Sequence, residues 1–191
     1  MRKLNLKTMV VIGMLSSISY ILMLLNFPLP VFPNFLLIDF SDIPALVAAL
    51  AFGPLAGILV ELFKNLLDYF MTGSQTGVPV GHIANFIAGI LFILPTYYVY
   101  KRIKTKKGLS IALIAGTITM AVFMSVLNYY IILPAYTLFL NAPAMADSEA
   151  RRLVVTAILP FNILKGVVVS ILFVPLYIRM GYWINRHQAS V

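Results

Sequence analysis

Residues 109–138 run without one Asp, Glu, Lys, Arg or His. In hydrocarbon every backbone N–H and C=O must be paired, and a helix of about 20 residues pairs them internally while crossing a bilayer. Comparable apolar runs fall at 8–27, 43–70, 80–100 and 153–178. Hydrophobic residues make up 61% of the 191-residue chain and charged residues 10%, against roughly 45–50% and 25% in soluble domains. Too little polar surface remains to coat a soluble core. The expected fold class is therefore an all-α polytopic membrane protein, one membrane domain over residues 1–191 without internal repeats. A soluble enzyme and a disordered chain are excluded. The first run lies behind Arg2, Lys3 and Lys7 and is too long for a signal-peptide core, so it is read as a retained span.

The run at 43–70 is interrupted by Phe52-Gly53-Pro54, a helix-breaking turn signal. It forms either one kinked span or two short ones. The distribution of cations decides, because Lys and Arg gather in cytoplasmic loops. With six spans, Arg2, Lys3, Lys7, Lys101, Arg102, Lys104, Lys106, Lys107, Arg179 and Arg186 all fall on one side. These are ten of the fourteen Lys and Arg residues. Five spans would split them. Six transmembrane helices with both termini cytoplasmic are expected, including the short helices 43–52 and 54–70. The same bias explains the net charge of +8, so no nucleic-acid partner is inferred.

This topology places residues 28–42, 71–81 and 139–152 outside. The first of these, with Pro28, Pro30 and Pro33 among Phe32, Phe35, Leu36, Leu37 and Phe40, is apolar yet barred from a regular helix. Such a loop must be covered by protein, lipid or ligand, and it is expected to form a lid.

Ionisable residues inside a membrane are costly, and each needs a partner. Glu61, Lys64 and Asp68 share one helix face, and Lys64 and Asp68 have the i,i+4 spacing of an ion pair. Lys165 has no acidic residue in its own helix, read as 153–178. It stands about 18 Å in from residue 153, so a buried carboxylate such as Asp39, or a ligand, is required. Asn85, Asn128 and Asn162 fall in the same outer half. A lone Asn in a membrane helix commonly makes an interhelical hydrogen bond. Four polar residues at one depth, beneath a loop carrying Asp39, instead describe a pocket open to the outside. Neutral amides suit a ligand edge that alternates donors and acceptors, such as a pyrimidinedione. Phe32, Phe35, Phe40 and Tyr129 are candidates to pack on a flat ring.

Catalytic equipment is missing. The chain has no Cys, His82 and His187 are far apart, and no Gly-x-Ser-x-Gly or Walker motif occurs, so no catalytic residue, metal site or cofactor is expected. Gly13 and Ser17 have the small-xxx-small spacing of close helix contact, used either inside the bundle or for an external partner.

The segments Leu37-Ile38-Asp39-Phe40-Ser41-Asp42-Ile43-Pro44, Phe52-Gly53-Pro54 with Gly57, and Lys64-Asn65 resemble the vitamin-binding S components of energy-coupling-factor (ECF) transporters. Gly81 to Gly89, Asn128-Tyr129 and Pro160 to Gly166 are similar to the riboflavin-binding branch. The resemblance runs along nearly the whole chain in order. It implies six helices in the cell membrane, an outward-facing riboflavin site, and partners in a transmembrane coupling subunit and two cytoplasmic ATPase subunits, which alone use ATP. The docking motif maps onto Gly13 and Ser17, the first of them Gly where Ala is usual. The ligand-binding elements map onto Phe35, Leu37 and Asp39 of the outer loop and onto Gly81, Asn85, Asn128, Asn162 and Lys165. In the mechanism this implies, Asn128, Asn162 and Lys165 read the pyrimidinedione edge and Asn85 and Asp39 take ribityl hydroxyls. Another vitamin, a lipid-modifying enzyme and an ion channel are the alternatives. Only one buried cation serves the pocket, so a neutral ligand fits better than an anionic one.

Overall fold

A computed structural model describes residues 6–74, 76–140 and 145–188. Six helices account for nearly all of it: α1 (Leu6–Leu24), α2 (Asp42–Phe52), α3 (Pro54–Thr72), α4 (Val80–Ile103), α5 (residues 106–139) and α6 (residues 147–188). Helices α1, α4, α5 and α6 are long and apolar enough to cross a membrane. Arg2 and Lys3 of the basic cluster lie outside the described residues.

The break in the second apolar run makes two helices, as the charge distribution required. Gly53 adopts φ 101°, a conformation L side chains rarely take, and its N–H closes α2 on the Ala49 carbonyl at 2.9 Å. Pro54 then opens α3 at a position where its missing N–H costs nothing. Helix α2 has 11 residues, too few to span hydrocarbon alone. It survives by being enclosed: Ala45 through Ala51 are all buried, against α1, α3, α4 and α6.

Between α4 and α5 the chain turns in two residues. Lys104 takes a left-handed φ of 46° and the Thr105 side chain accepts the Gly108 N–H at 2.9 Å. At the other end, residues 25–41 form the lid. Phe27–Pro28 pairs antiparallel with Leu37–Ile38 in a minimal ladder, and turns close from Phe32 to Leu29 and from Leu36 to Pro33 at 2.9 Å. The prolines do preclude a helix here, and the hairpin is a small β addition to an otherwise all-α fold.

Two hydrophobic cores result. The larger runs through α2, α4, α5 and α6. The smaller joins Leu36 and Ile38 of the lid to Leu133, Val154, Ile158 and Phe161 of α5 and α6.

Candidate functional site

A cavity of about 420 Å³ lies between the two cores, beneath the lid. Phe35, Leu37 and Asp39 reach it from the lid, Gly81 and Asn85 from the first turns of α4, Asn128 from α5, and Asn162 and Lys165 from α6. The eight residues singled out in the sequence for ligand contact therefore meet at one cavity. Asn128 and Asn162 are buried, and each donates one amide hydrogen to the carbonyl four residues earlier, of Met124 and of Ile158, both at 2.8 Å. That bond fixes the amide plane and leaves its oxygen and second hydrogen to meet a ligand.

Asp39 is the partner that Lys165 needed. Lys165 Nζ stands 3.1 Å from Asp39 Oδ2 and 3.6 Å from Asp42 Oδ2. Asn85 donates to the same Asp39 oxygen at 3.4 Å, and the Ser41 N–H and hydroxyl donate to the other. Burial would raise the Asp39 pKa. The Lys165 and Lys64 ammoniums and the Ser41 donors outweigh it and hold the carboxyl below the usual range. Asp39 is thus a fixed anion at the junction of lid and bundle.

The pairing expected between Lys64 and Asp68 does not form. Lys64 is fully buried, with Nζ 2.6 Å from Asp42, 2.8 Å from Glu61 and 2.7 Å from the Ser41 hydroxyl. It lies one turn deeper than Asp68 and reaches α2 instead. Asp68 pairs with His82 Nε2 at 3.0 Å across to α4, and both line the cavity near its mouth. Gly89 makes room for the Glu61 carboxylate, since a Cβ there would stand 2.2 Å from Oε2.

The aromatic residues divide differently from the sequence expectation. Phe35 lines the cavity, but Phe32, Phe40 and Tyr129 pack into the smaller core. Phe32 stacks edge-on to Phe161 at 5.5 Å, Phe40 lies 6.3 Å from Phe27, and the Tyr129 hydroxyl is held by Asp147. Phe32 and Phe40 lie outside the two short strands, in turns that direct them into the smaller core, which apolarity alone does not reveal. The aromatic wall is completed by Tyr136 and Phe161, which the sequence reading missed. Phe161 had a signal in its position beside Asn162. Tyr136 did not. Among the described residues, no group of three or more His, Cys, Asp or Glu is arranged to hold a metal ion.

A profile of the family "ECF transporter, substrate-specific component" matches residues 7–177. The chain belongs to that family. It is 52% identical over 187 residues to the riboflavin transporter FmnP of Bacillus subtilis (strain 168), covering 98% of each chain. It is 44% identical to the riboflavin transporter RibU of Staphylococcus aureus (strain TCH60), covering 97% of each. A solved structure of the S component of a bacterial ECF transporter superposes with a TM-score of 0.79 at 42% identity, over 93% of this chain and 97% of that one.

The other pair singled out in the sequence, Gly13 and Ser17, lies on α1, away from the cavity. Both residues are exposed, no atom lies within 4 Å of a Cβ built at Gly13, and Ser17 donates to the Gly13 carbonyl at 3.1 Å. Packing within the bundle is therefore not the use of this pair. Ser16 and Ser19 face inward instead, and Ser19 donates to the Ser41 carbonyl.

Proposed function

We propose that this chain, acting as one membrane domain, captures riboflavin from outside the cell in the cavity beneath the lid. It would then deliver riboflavin inward when ATP is hydrolysed by partner subunits. The observation that carries the reading is the meeting of Asn128, Asn162 and the Asp39–Lys165 pair on one cavity with apolar and aromatic walls. This occurs in a chain whose relatives, at 52% and 44% identity, are named riboflavin transporters. Asn128, Asn162 and Lys165 read the pyrimidinedione edge of the flavin. Asn85 and Asp39 take hydroxyls of the ribityl chain. Phe35 and Leu37 close over the ring from the lid, and Gly81 admits close approach at the start of α4. The cavity favours an uncharged ligand, because the charge of Lys165 is already balanced by Asp39 and Asp42.

Binding is the whole of this chain's chemistry: it holds no cofactor and catalyses no reaction. It sits in the cell membrane among lipid, with both termini in the cytoplasm and the lid outside. The exposed α1 face at Gly13 and Ser17 docks on a transmembrane coupling subunit, which carries two cytoplasmic ATPase subunits. The test is direct. Riboflavin titrated into the detergent-purified chain loses its fluorescence as the ring enters the aromatic cavity. Unquenched riboflavin at micromolar concentration overturns the reading.

A further inference from the structure

Two turns in the cavity wall are wider than the helices that contain them. In α5 the turn Asn128–Ile132 and in α6 the turn Val154–Ile158 are π-helical. The Leu133 N–H reaches back five residues to the Asn128 carbonyl, and the Leu159 N–H likewise to Val154. Each turn is followed at once by Leu-Pro, at Leu133-Pro134 and Leu159-Pro160, and the two turns pack against one another. Proline has no N–H for the carbonyl four residues earlier, here Tyr130 and Thr156, and its ring pushes that carbonyl aside. Widening the turn by one residue relieves the clash. Proline alone is not sufficient. Ile93-Leu94-Pro95 in α4 repeats the Ile-Leu-Pro of the other two sites, yet α4 stays α-helical throughout.

The wide turn changes which residues share a face. In an unbroken α-helix, at about 100° per residue, Asn128 and Tyr136 would stand about 80° apart. A turn that absorbs one residue brings them to about 20°. Both line the cavity. Tyr136 also seats the lid, its ring 6.1 Å from that of Phe35, and its hydroxyl would lie 2.9 Å from a Cβ on Gly81. In α6 the wide turn ends at Ile158, whose carbonyl takes the Asn162 amide, while Val154 and Ile158 pack under the lid.

We propose that Pro134 and Pro160 are positioning residues for the bound ligand. Each holds a π turn open, and the paired turns set Asn128, Tyr136 and Asn162 on one wall. The inference rests on the cavity being the riboflavin site. The experiment is riboflavin titration of the full chain in detergent, read by flavin fluorescence, with the thermal midpoint of the ligand-free protein measured alongside. The variants are Pro134→Ala, Pro160→Ala and the matched control Pro95→Ala. Either of the first two weakens binding roughly three- to tenfold, the size of one misplaced hydrogen bond, without a matching fall in midpoint. Pro95→Ala leaves affinity unchanged. Unchanged affinity in both test variants overturns the inference, and so does an equal loss in Pro95→Ala. If an Ala variant is not recovered folded, Pro→Ser at that position also restores the N–H and is read in the same way. A parent chain that does not quench riboflavin overturns the functional reading and this inference together. A binding parent with indifferent variants overturns this inference alone.

Discussion

The two hydrophobic cores of this protein are built on opposite plans. The larger sits mainly on regular helices and packs large side chains such as Phe92 and Phe173 around the alanines of α2. Ala45, Ala48 and Ala49 of α2 are entirely buried, and a Cβ on Gly57 would lie 2.8 Å from that of Ala49. Close-packed backbones leave no room for rearrangement. The smaller core joins a proline-rich hairpin to two π turns, and Phe27, Phe35 and Leu37 of the same lid stay outside it, exposed. The cavity lies where the two meet. A rigid frame supplies fixed polar groups on one side, and an irregular wall supplies shape on the other. The buried cluster of Asp39, Ser41, Asp42, Lys64 and Lys165 fastens them together.

That contrast can be broken most severely at the fastening. Lys64→Met takes from Glu61 its buried cation and leaves Asp42 with Lys165 at 3.6 Å, and removing one member of a buried ion pair costs about 3–5 kcal/mol. The expected result is a large drop in thermal midpoint in detergent, with riboflavin binding lost as a consequence. A wild-type midpoint would show that the frame does not depend on the cluster.

A smaller and more selective effect is expected in the wall. Asn162→Ala removes an amide that, among the described residues, bonds within its own helix at Ile158, so stability changes little. Riboflavin affinity falls by roughly 1–3 kcal/mol if the amide meets the flavin edge. Equal losses of midpoint and affinity would place Asn162 with the frame. Lys165→Ala should show both effects, because Lys165 pairs with Asp39 and Asp42 as well as facing the cavity.

The least effect on either core is expected from Gly13→Leu. The position is open and helical, where leaving Gly gains up to about 1 kcal/mol. Riboflavin binding is expected to stay unchanged and the midpoint to hold or rise slightly, while uptake by cells carrying the partner subunits falls. Undiminished uptake would remove the docking role from this face.

Much of the frame was legible in the sequence, because burial in a membrane writes itself into composition. Apolar runs gave the helices, the Gly53-Pro54 break separated α2 from α3, and sorting polar residues by depth brought Asp39, Asn85, Asn128, Asn162 and Lys165 to one level. The wall was less legible. Tyr136 was hidden because its face depends on a π turn, and helical spacing assumes a constant turn. Phe32 and Phe40 looked like ring-stacking residues because they share a segment with Phe35, but they pack into the smaller core, Phe32 against Phe161 and Phe40 near Phe27.

The sequence by itself determined that the chain is a six-helix membrane protein and that Lys165 must find a carboxylate outside its own apolar run, 153–178. Both follow from the cost of polar groups in hydrocarbon, which holds whatever the packing. Only the tertiary structure decided that Lys64 turns from Asp68 to Asp42, and that one Ile-Leu-Pro stays α-helical while two follow π turns. An ion pair forms with the nearest carboxylate in space, and the two widened turns pack against one another across the bundle. Neither is settled by residues three or four positions away along the chain.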